Sequence, residues 1–177
     1  MTKYAALLRG IGPTNPNMKG EKLRGVFESL GFSNVQSVIT SGNVLFESDI
    51  SDVAKLESMV EKALPEQLGF NSTAIIRSQA ELQALVDADP FKGITQGPKT
   101  YITVTFLKQK PKSAPKLPYK PASKGYEIFA LYDRAITATL DQTHEKTPNL
   151  MSYLEKQFGK QITTRTWNTV TRITHKL

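Results

Sequence analysis

The 177-residue sequence contains no cysteine. This absence excludes thiol nucleophiles, disulfide bonds and cysteine-ligated metal sites, and it is typical of proteins from a reducing compartment. No apolar run approaches the roughly 18 residues that a membrane span requires. The apolar residues near the N-terminus are also too few for a secretory signal. We therefore expect a soluble, cytoplasmic protein that has no membrane partner.

Residues that usually carry out catalysis or bind metals are scarce as well. Only two histidines occur, and we interpret His144, in a polar loop, and His175, near the C-terminus, as surface residues. No spacing of histidine, aspartate and glutamate indicates a metal site, and neither a P-loop nor a dinucleotide-binding glycine fingerprint is present. The sequence therefore predicts no metal and no cofactor. It leaves open whether the protein is an enzyme.

Positive charge is in excess, with a formal net charge of +7 at pH 7. Such a charge favours anionic partners, namely nucleotides, phosphorylated metabolites or nucleic acid. Six of the lysines lie in a proline-rich segment, residues 108–124, which we call the Lys/Pro stretch. A stretch of this composition is more typical of a solvated loop than of a binding surface. The net charge therefore indicates the class of partner without locating a site, and no pattern indicates the oligomeric state.

The first half of the chain is arranged around Ser41-Gly42-Asn43, which lies between two β-rich runs. Glycine and asparagine accept the positive φ of a tight hairpin. Before the hairpin, the pattern predicts a strand at residues 3–11 that is apolar on both faces, and a helix that begins near Met18. After it, the pattern predicts a helix capped by Ser51 and a strand at residues 73–77. The order β-α-β-β-α-β is that of the ferredoxin-like motif.

The second half repeats this pattern. The capping-box sequence Ser78-Gln-Ala-Glu81 predicts the start of a short helix. Thr147-Pro148 is expected to begin a later helix, and Asn168 is expected to cap the last one. Alternating apolar residues predict a strand at residues 101–107, and further strands are predicted at residues 126–132, 135–140 and 162–166.

Taken together, these patterns predict an α+β fold made of two ferredoxin-like subdomains packed together, with a C-terminal helix. We place the N-terminal subdomain at residues 1–77 and the C-terminal subdomain at residues 78–177. In the second subdomain the Lys/Pro stretch, residues 108–124, is an insertion that stands where a crossover helix is expected.

Five residues form a first candidate site for an anion: Arg9, Gly10, Ser41, Gly42 and Asn43. In a ferredoxin-like unit, the end of the first strand and the hairpin after the second strand emerge at the same edge of the sheet. The loop after the first strand also leads into a helix N-terminus, whose N–H groups and dipole favour an anion. Arg9 adds a forked donor that suits phosphate or carboxylate. Alternatively, the glycines and Asn43 only shape turns, and Arg9 pairs with an internal carboxylate.

A second candidate site surrounds a strand-to-helix turn and contains Arg165, Trp167, Asn168 and Thr169. The N-terminus of the following helix is again available to an anion. Arg165 alternates with threonines along the strand, so it must either meet a buried partner or face a groove. Trp167 continues the apolar stripe of the following helix, and the alternative is therefore that it belongs to the core.

Three segments of the chain resemble a bacterial family known as domain of unknown function 1697. They are Tyr4-Ala-Ala-Leu-Leu-Arg-Gly-Ile11, the pair Leu30-Gly-Phe and Ser41-Gly-Asn-Val44, and Thr163-Thr-Arg-Thr-Trp-Asn-Thr-Val170. The resemblance covers nearly the full length and implies two ferredoxin-like subdomains. It brings no activity, substrate or cofactor. The chain departs from the family at residues 12–17, where Gly-Pro-Thr-Asn-Pro-Asn replaces the usual Asn-Val-Gly-Gly.

Three functional hypotheses follow. In the first, the protein binds an anionic ligand, nucleotide-like or nucleic acid, in a cleft formed by the first strand end, the Ser-Gly-Asn hairpin and the Thr-Arg-Thr-Trp-Asn turn. In the second, it is an enzyme that acts on a phosphorylated small molecule, with Arg9 and Arg165 holding the phosphate and Ser41 or Asn43 positioning the reacting group. In the third, it is a structural or interaction module without a ligand.

Overall fold

The computed structural model of the chain describes residues 1–40 and 42–177. The eight β-strands of this part of the chain are β1 (Thr2–Leu8), β2 (Ser33–Ser37), β3 (Asn43–Ser48), β4 (Ala74–Ser78), β5 (Tyr101–Leu107), β6 (Tyr126–Tyr132), β7 (Ala135–Leu140) and β8 (Ile162–Thr166). Its five α-helices are α1 (Gly20–Ser29), α2 (Val53–Leu68), α3 (Gln79–Asp87), α4 (Leu150–Phe158) and α5 (Trp167–Lys176), and a short 3-10 helix (Pro16–Met18) precedes α1. Among these helices, none is both long and apolar enough to cross a membrane.

The strands form two four-stranded antiparallel sheets, in the orders β2-β3-β1-β4 and β6-β7-β5-β8. The predicted α+β fold is confirmed. The two sheets have the same order when their strands are counted from the first of each sheet, as the repeated sequence pattern indicated. The strands predicted at residues 101–107, 126–132, 135–140 and 162–166 match β5 to β8 residue for residue.

The chain divides into two compact units, one made of Met1–Ala84 with Thr171–Leu177, the other of Leu85–Val170. The first unit contains β1 to β4 with α1 and α2, and the second contains β5 to β8 with α4. The chain passes from the first unit to the second within α3 and returns within α5.

In the first unit, α1 and α2 pack their apolar stripes against one face of the sheet. The buried apolar residues that recur at helical spacing are Leu23, Val26, Phe27, Leu56, Val60 and Leu64. Phe46 of β3 is central to this core, since its ring lies 5.3 Å from that of Phe27 and 5.5 Å from that of Tyr4. Burying one such ring stabilises the fold by about 1.5–3 kcal/mol. Tyr4 to Leu8 of β1 are all buried, which confirms the prediction that this strand is covered on both faces.

In the second unit, the core joins the sheet, α4 and part of the Lys/Pro stretch. Tyr119 exchanges two backbone hydrogen bonds with Ile128 of β6, at N–O distances of 2.8 and 2.9 Å. Its ring also stacks on that of Tyr153 in α4, with centroids 4.9 Å apart. The prediction of a solvated loop therefore does not extend to Leu117 and Tyr119, whose partly buried side chains pack against the core.

Three helix starts differ from the predictions. The cap of α2 is Asp52 rather than Ser51, because Asp52 Oδ1 accepts the N–H of Lys55 at 3.1 Å. Helix α4 begins at Leu150, after Asn149 rather than at Thr147-Pro148.

The third difference is at α5, which begins at Trp167. Thr166 Oγ1 accepts the N–H of Thr169 at 3.2 Å, so Thr166 takes the capping role predicted for Asn168. The physical reason is the same for α2 and α5, whereas the side chain of Asn149 makes no capping bond at α4. A cap is the last extended residue whose side-chain oxygen reaches the N–H three residues later, and adjacent polar residues compete for that position.

Candidate functional site

Arg9 and Gly10 follow β1 directly. The backbone N–H of Arg9 donates to the carbonyl of Thr73 at 3.0 Å, and the hydroxyl of Ser72 donates to the carbonyl of Arg9 at 2.8 Å. These bonds hold the main chain at the entry to β4, while the Arg9 side chain is half-buried. Gly10 is exposed and has a φ of +74°.

The hairpin lies beside this segment, as predicted from the topology. The N–H of Leu8 donates to the carbonyl of Gly42 at 2.9 Å, and Asn43 pairs with Leu7 in the β1–β3 register. Ser41 lies outside the described residues. Arg9, Gly10, Gly42 and Asn43 therefore meet at one edge of the first sheet, which we call the first-strand edge.

Gly42 and Asn43 have structural roles at this edge. Gly42 has a φ of +77°, and a Cβ at this position would lie 2.5 Å from Cγ1 of Ile11. The buried amide of Asn43 donates to the carbonyl of Val38 at 3.0 Å, which closes the hairpin. These contacts agree with the alternative that both residues shape the turn, and a role in ligand binding stays a prediction.

Arg165 lies in β8 opposite Val104 and is buried. Its Nη1 donates to the hydroxyl of Thr163 at 2.8 Å and to the carbonyl of Thr164 at 2.9 Å. Burial lowers the pKa of Arg165 to about 10, because the interior disfavours the charged guanidinium. The side chain is thus a cation taken out of water and held by neighbouring oxygen atoms of its own strand.

The residues after Arg165 form the first turn of α5, and we call residues 165–169 the Arg165 turn. The half-buried ring of Trp167 packs edge-on against Phe91, with centroids 5.2 Å apart. Asn168 is exposed, and Thr169 hydrogen-bonds to the capping residue Thr166. The first turn of α5 contains no acidic residue, so the helix supplies no negative charge of its own at its N-terminus.

Arg77 is the counterpart of Arg165 in the first unit, and the sequence reasoning missed it. It is buried near the end of β4, and its Nη1 donates to the carbonyl of the preceding residue at 2.8 Å, as Arg165 does at 2.9 Å. Each arginine directly precedes a helix cap, because Ser78 Oγ and Thr166 Oγ1 both accept the N–H three residues later at 3.2 Å. The signal that could have found it is the pair Arg-Ser and Arg-Thr at the end of the last strand in each half.

Two further observations bear on chemistry at these residues. Within residues 1–40 and 42–177, no three histidine, aspartate or glutamate side chains are grouped so that they could hold a metal ion. The first-strand edge belongs to the first unit, and the Arg165 turn belongs to the second. Each is therefore a separate candidate.

Comparisons with known proteins agree with the resemblance drawn from the sequence. The family model described as "Protein of unknown function (DUF1697)" matches residues 1–136, which confirms that resemblance. The third resembling segment, residues 163–170, lies beyond the matched range.

The chain is also similar in fold to a solved structure, that of the conserved bacterial protein SP0830 from Streptococcus pneumoniae. The TM-score is 0.69 at 20% sequence identity, and the match covers 98% of this chain and 97% of that chain. At this identity the likeness concerns the fold alone. No curated protein matches the chain.

Proposed function

The chain belongs to the DUF1697 family of proteins of unknown function, and on that premise we propose that it binds an anionic, nucleotide-like ligand at the Arg165 turn. The predicted binding residues there are Arg165, Trp167, Asn168 and Thr169. The residues of the first-strand edge and Ser41 are candidates for a separate anion contact in the first unit.

The observation that carries this proposal is a buried arginine that directly precedes the capping residue of a helix. Burial lowers the pKa of Arg165 to about 10, and a nearby phosphate or carboxylate stabilises the charged form that burial disfavours. The N–H groups in the first turn of α5 lie at the positive end of the helix dipole, which also favours binding of an anion. The net charge of +7 also favours such a ligand at longer range.

The test compares two arginines of the C-terminal segment. Arg165→Met removes the buried cation of β8, whereas Arg172→Ala removes an exposed arginine of the following helix α5 and therefore the same formal charge. A ligand at about 100 times its Kd should raise the free energy of unfolding by about 2.7 kcal/mol, or Tm by about 5–10 °C. We expect nucleoside mono- and diphosphates to produce this shift in the native protein and the Arg172 variant, and not in the Arg165 variant.

Nucleic acid is distinguished from a small nucleotide by the effect of salt. Affinity for duplex DNA should fall by roughly 0.9 log units per log unit of salt for each phosphate neutralised, whereas a single buried contact responds less. A steep slope with oligonucleotides would therefore replace the nucleotide proposal by a nucleic-acid one.

A structural role is the competing function, and the hydrogen bonds of Arg165 to Thr163 and Thr164 favour it. In that case Arg165→Met lowers Tm, and no nucleotide shifts Tm of the native protein. The enzyme hypothesis stays a prediction, since Ser41 lies outside the described residues and the amide of Asn43 is bonded to Val38.

We also propose that the two halves are ferredoxin-like subdomains, with the limits 1–77 and 78–177 predicted from the sequence. The shared antiparallel order, in which the first strand lies between the third and the fourth, supports this proposal. In the second half, residues 108–124 occupy the position of the first crossover helix. Cytoplasmic localisation is likewise a proposal, which the absence of cysteine supports.

A further inference from the structure

A cavity of about 720 Å³ lies within the second unit. It is formed by the loop before β5, the end of the Lys/Pro stretch with the start of β6, and the segment where β7 ends. Its volume falls within the roughly 300–1,000 Å³ that is usual for small-molecule sites. The residues of the Arg165 turn are not among those that line it.

The segment after β7 is a well-defined wall of the cavity. Asp141 accepts the N–H and the hydroxyl of Thr143 at 2.8 and 2.6 Å, and its own N–H donates to the carbonyl of Gly125 at 2.8 Å. His144 Nδ1 lies 2.8 Å from the carbonyl of Lys146, and the imidazole ring lies against the backbone of Gly125. These contacts tie residues 141–146 to Gly125, which directly follows the Lys/Pro stretch.

The charges that line the cavity are balanced. Lys120 and Glu127 form an ion pair with Nζ and Oε2 3.4 Å apart, and they compensate each other. The remaining lysine and carboxylate among the lining residues are Lys99 and Asp141. The hydrogen bonds from Thr143, and then the positive charge of Lys99, lower the pKa of Asp141, so its carboxylate is ionised at neutral pH. The cavity thus offers one cation and one anion to a ligand.

The remaining lining residues include apolar surface and hydroxyl groups. Ile94, Pro121 and Phe129 provide apolar contacts, and Ser123 and Thr139 provide hydroxyls. A polyanion such as a nucleoside triphosphate would face both carboxylates of the cavity. A zwitterion pairs with both signs at once, and an aromatic ring fits beside Phe129.

We propose that this cavity binds a zwitterionic aromatic small molecule, of the amino acid or dipeptide class, whose carboxylate is paired by Lys99 and whose ammonium is paired by Asp141. This site is separate from the Arg165 turn, and its ligand is of a different charge class. Binding of a zwitterion requires both Lys99 and Asp141, whereas binding of an anion would require only Lys99.

The single tryptophan provides a spectroscopic readout. Trp167 packs against Phe91 at 5.2 Å, and Phe91 packs against Phe129 of the cavity wall at 6.4 Å. A ligand that contacts Phe129 should therefore change the fluorescence of Trp167. Phenylalanine and the dipeptide glycyl-phenylalanine do not themselves contribute tryptophan emission, so both serve as probes in fluorescence and calorimetric titrations.

The experiment pairs changes in the protein with changes in the ligand. Lys99→Gln and Asp141→Asn are each expected to weaken binding of both probes about tenfold or more, while Lys92→Gln, an exposed lysine outside the cavity, leaves it unchanged. N-acetyl-phenylalanine lacks the ammonium and phenethylamine lacks the carboxylate. The first should bind weakly and be insensitive to Asp141→Asn, and the second should be insensitive to Lys99→Gln.

Several outcomes would overturn the proposal. One is the absence of a saturable calorimetric signal with either probe in the native protein. Another is a loss of affinity in the Lys99 and Asp141 variants no larger than in the Lys92 variant. A third is tighter binding of nucleoside monophosphates that depends on Lys99 but not on Asp141. Circular dichroism of each variant checks that it is folded. The Arg165→Met variant should still bind both probes, and this result would distinguish the cavity from the proposed nucleotide site.

Discussion

The imidazole of His144 lies so close to Gly125 that a Cβ on this glycine would stand 2.8 Å from His144 Cγ. The two residues are distant in sequence, and their contact holds the segment after β7 against the end of the Lys/Pro stretch. Gly125 also has a φ of +70°, a conformation that other residues rarely adopt. The contact therefore shapes one wall of the cavity in the second unit.

Gly125→Ala should destabilise the second unit by about 1–3 kcal/mol, because it combines backbone strain with a steric conflict. Urea unfolding followed by circular dichroism measures the loss. Gly97→Ala is the control, since Gly97 has no positive φ and a Cβ there meets nothing within 4 Å. Equal stability of the two variants would mean that His144 does not pack on Gly125 in solution.

Substitutions at Gly42 and Gly10 distinguish two costs to stability, the steric conflict of a new side chain and the backbone strain of a positive φ. Their φ values are nearly the same, +77° and +74°, but a Cβ on Gly42 would lie 2.5 Å from Ile11 while one on Gly10 meets nothing within 4 Å. We expect Gly10→Ala to cost about 1 kcal/mol and Gly42→Ala at least about 2 kcal/mol more. Chemical denaturation of both variants tests this, and similar losses would contradict the close packing of the hairpin on the end of β1.

Asp52, and not Ser51, is expected to stabilise the start of α2. Asp52→Ala removes the hydrogen bond from Lys55 N–H and should cost about 1 kcal/mol. Ser51 is exposed and serves as the matched control, so Ser51→Ala should change the free energy of unfolding by less than about 0.5 kcal/mol. The opposite ranking in thermal or urea unfolding would restore Ser51 as the cap.

Tyr119→Phe should lower the pKa of Tyr153. Burial raises the pKa of Tyr153 and Tyr126, and the charge of a Tyr119 phenolate raises both further. In the folded protein these phenols keep their protons at a pH where unfolded chains lose them. Their contribution to stability is therefore fully present below about pH 10 and is lost as pH rises through the folded pKa.

The ultraviolet absorbance of tyrosinate during an alkaline titration provides the measurement, with Tyr132→Phe as the control outside this cluster. In the Tyr119 variant the late-titrating tyrosines should begin to ionise at a lower pH, and in the Tyr132 variant they should not. An unchanged late phase without Tyr119 would mean that the Lys/Pro stretch does not pack beside Tyr153 in solution.

Much of the fold was predictable because its signals are local. The alternation of apolar residues along β5 is a property of neighbouring residues, and the strands of the second half match the prediction. The capping box of α3 is another such property, since Ser78 and Glu81 form both of its predicted bonds. The caps at Asp52 and Thr166 were predicted incorrectly because other capping residues lie one or two positions away. A helix start can shift by that much at little cost in free energy.

The candidate sites were predictable only in part. That Arg9 and Gly42 meet at one sheet edge follows from strand order, and the bond from Leu8 to Gly42 bears it out. The burial of Arg77 and Arg165 could not be predicted from the sequence, because the side chain of an arginine in a strand can either extend into solvent or pack against neighbouring residues. The contact of His144 with Gly125 could not be predicted for a similar reason, since it joins two separate loops.

The sequence by itself determined the elements, their order and the excess of positive charge, because periodicity, turn residues and composition act within a few residues. Only the tertiary structure decided which loops meet. The pairing of Tyr119 with Ile128, the packing of His144 on Gly125 and the placement of Lys99 and Asp141 around one cavity all join residues with no local relationship. Such contacts depend on the geometry of the assembled sheet, whose strand order brings distant loops together only after the core has formed.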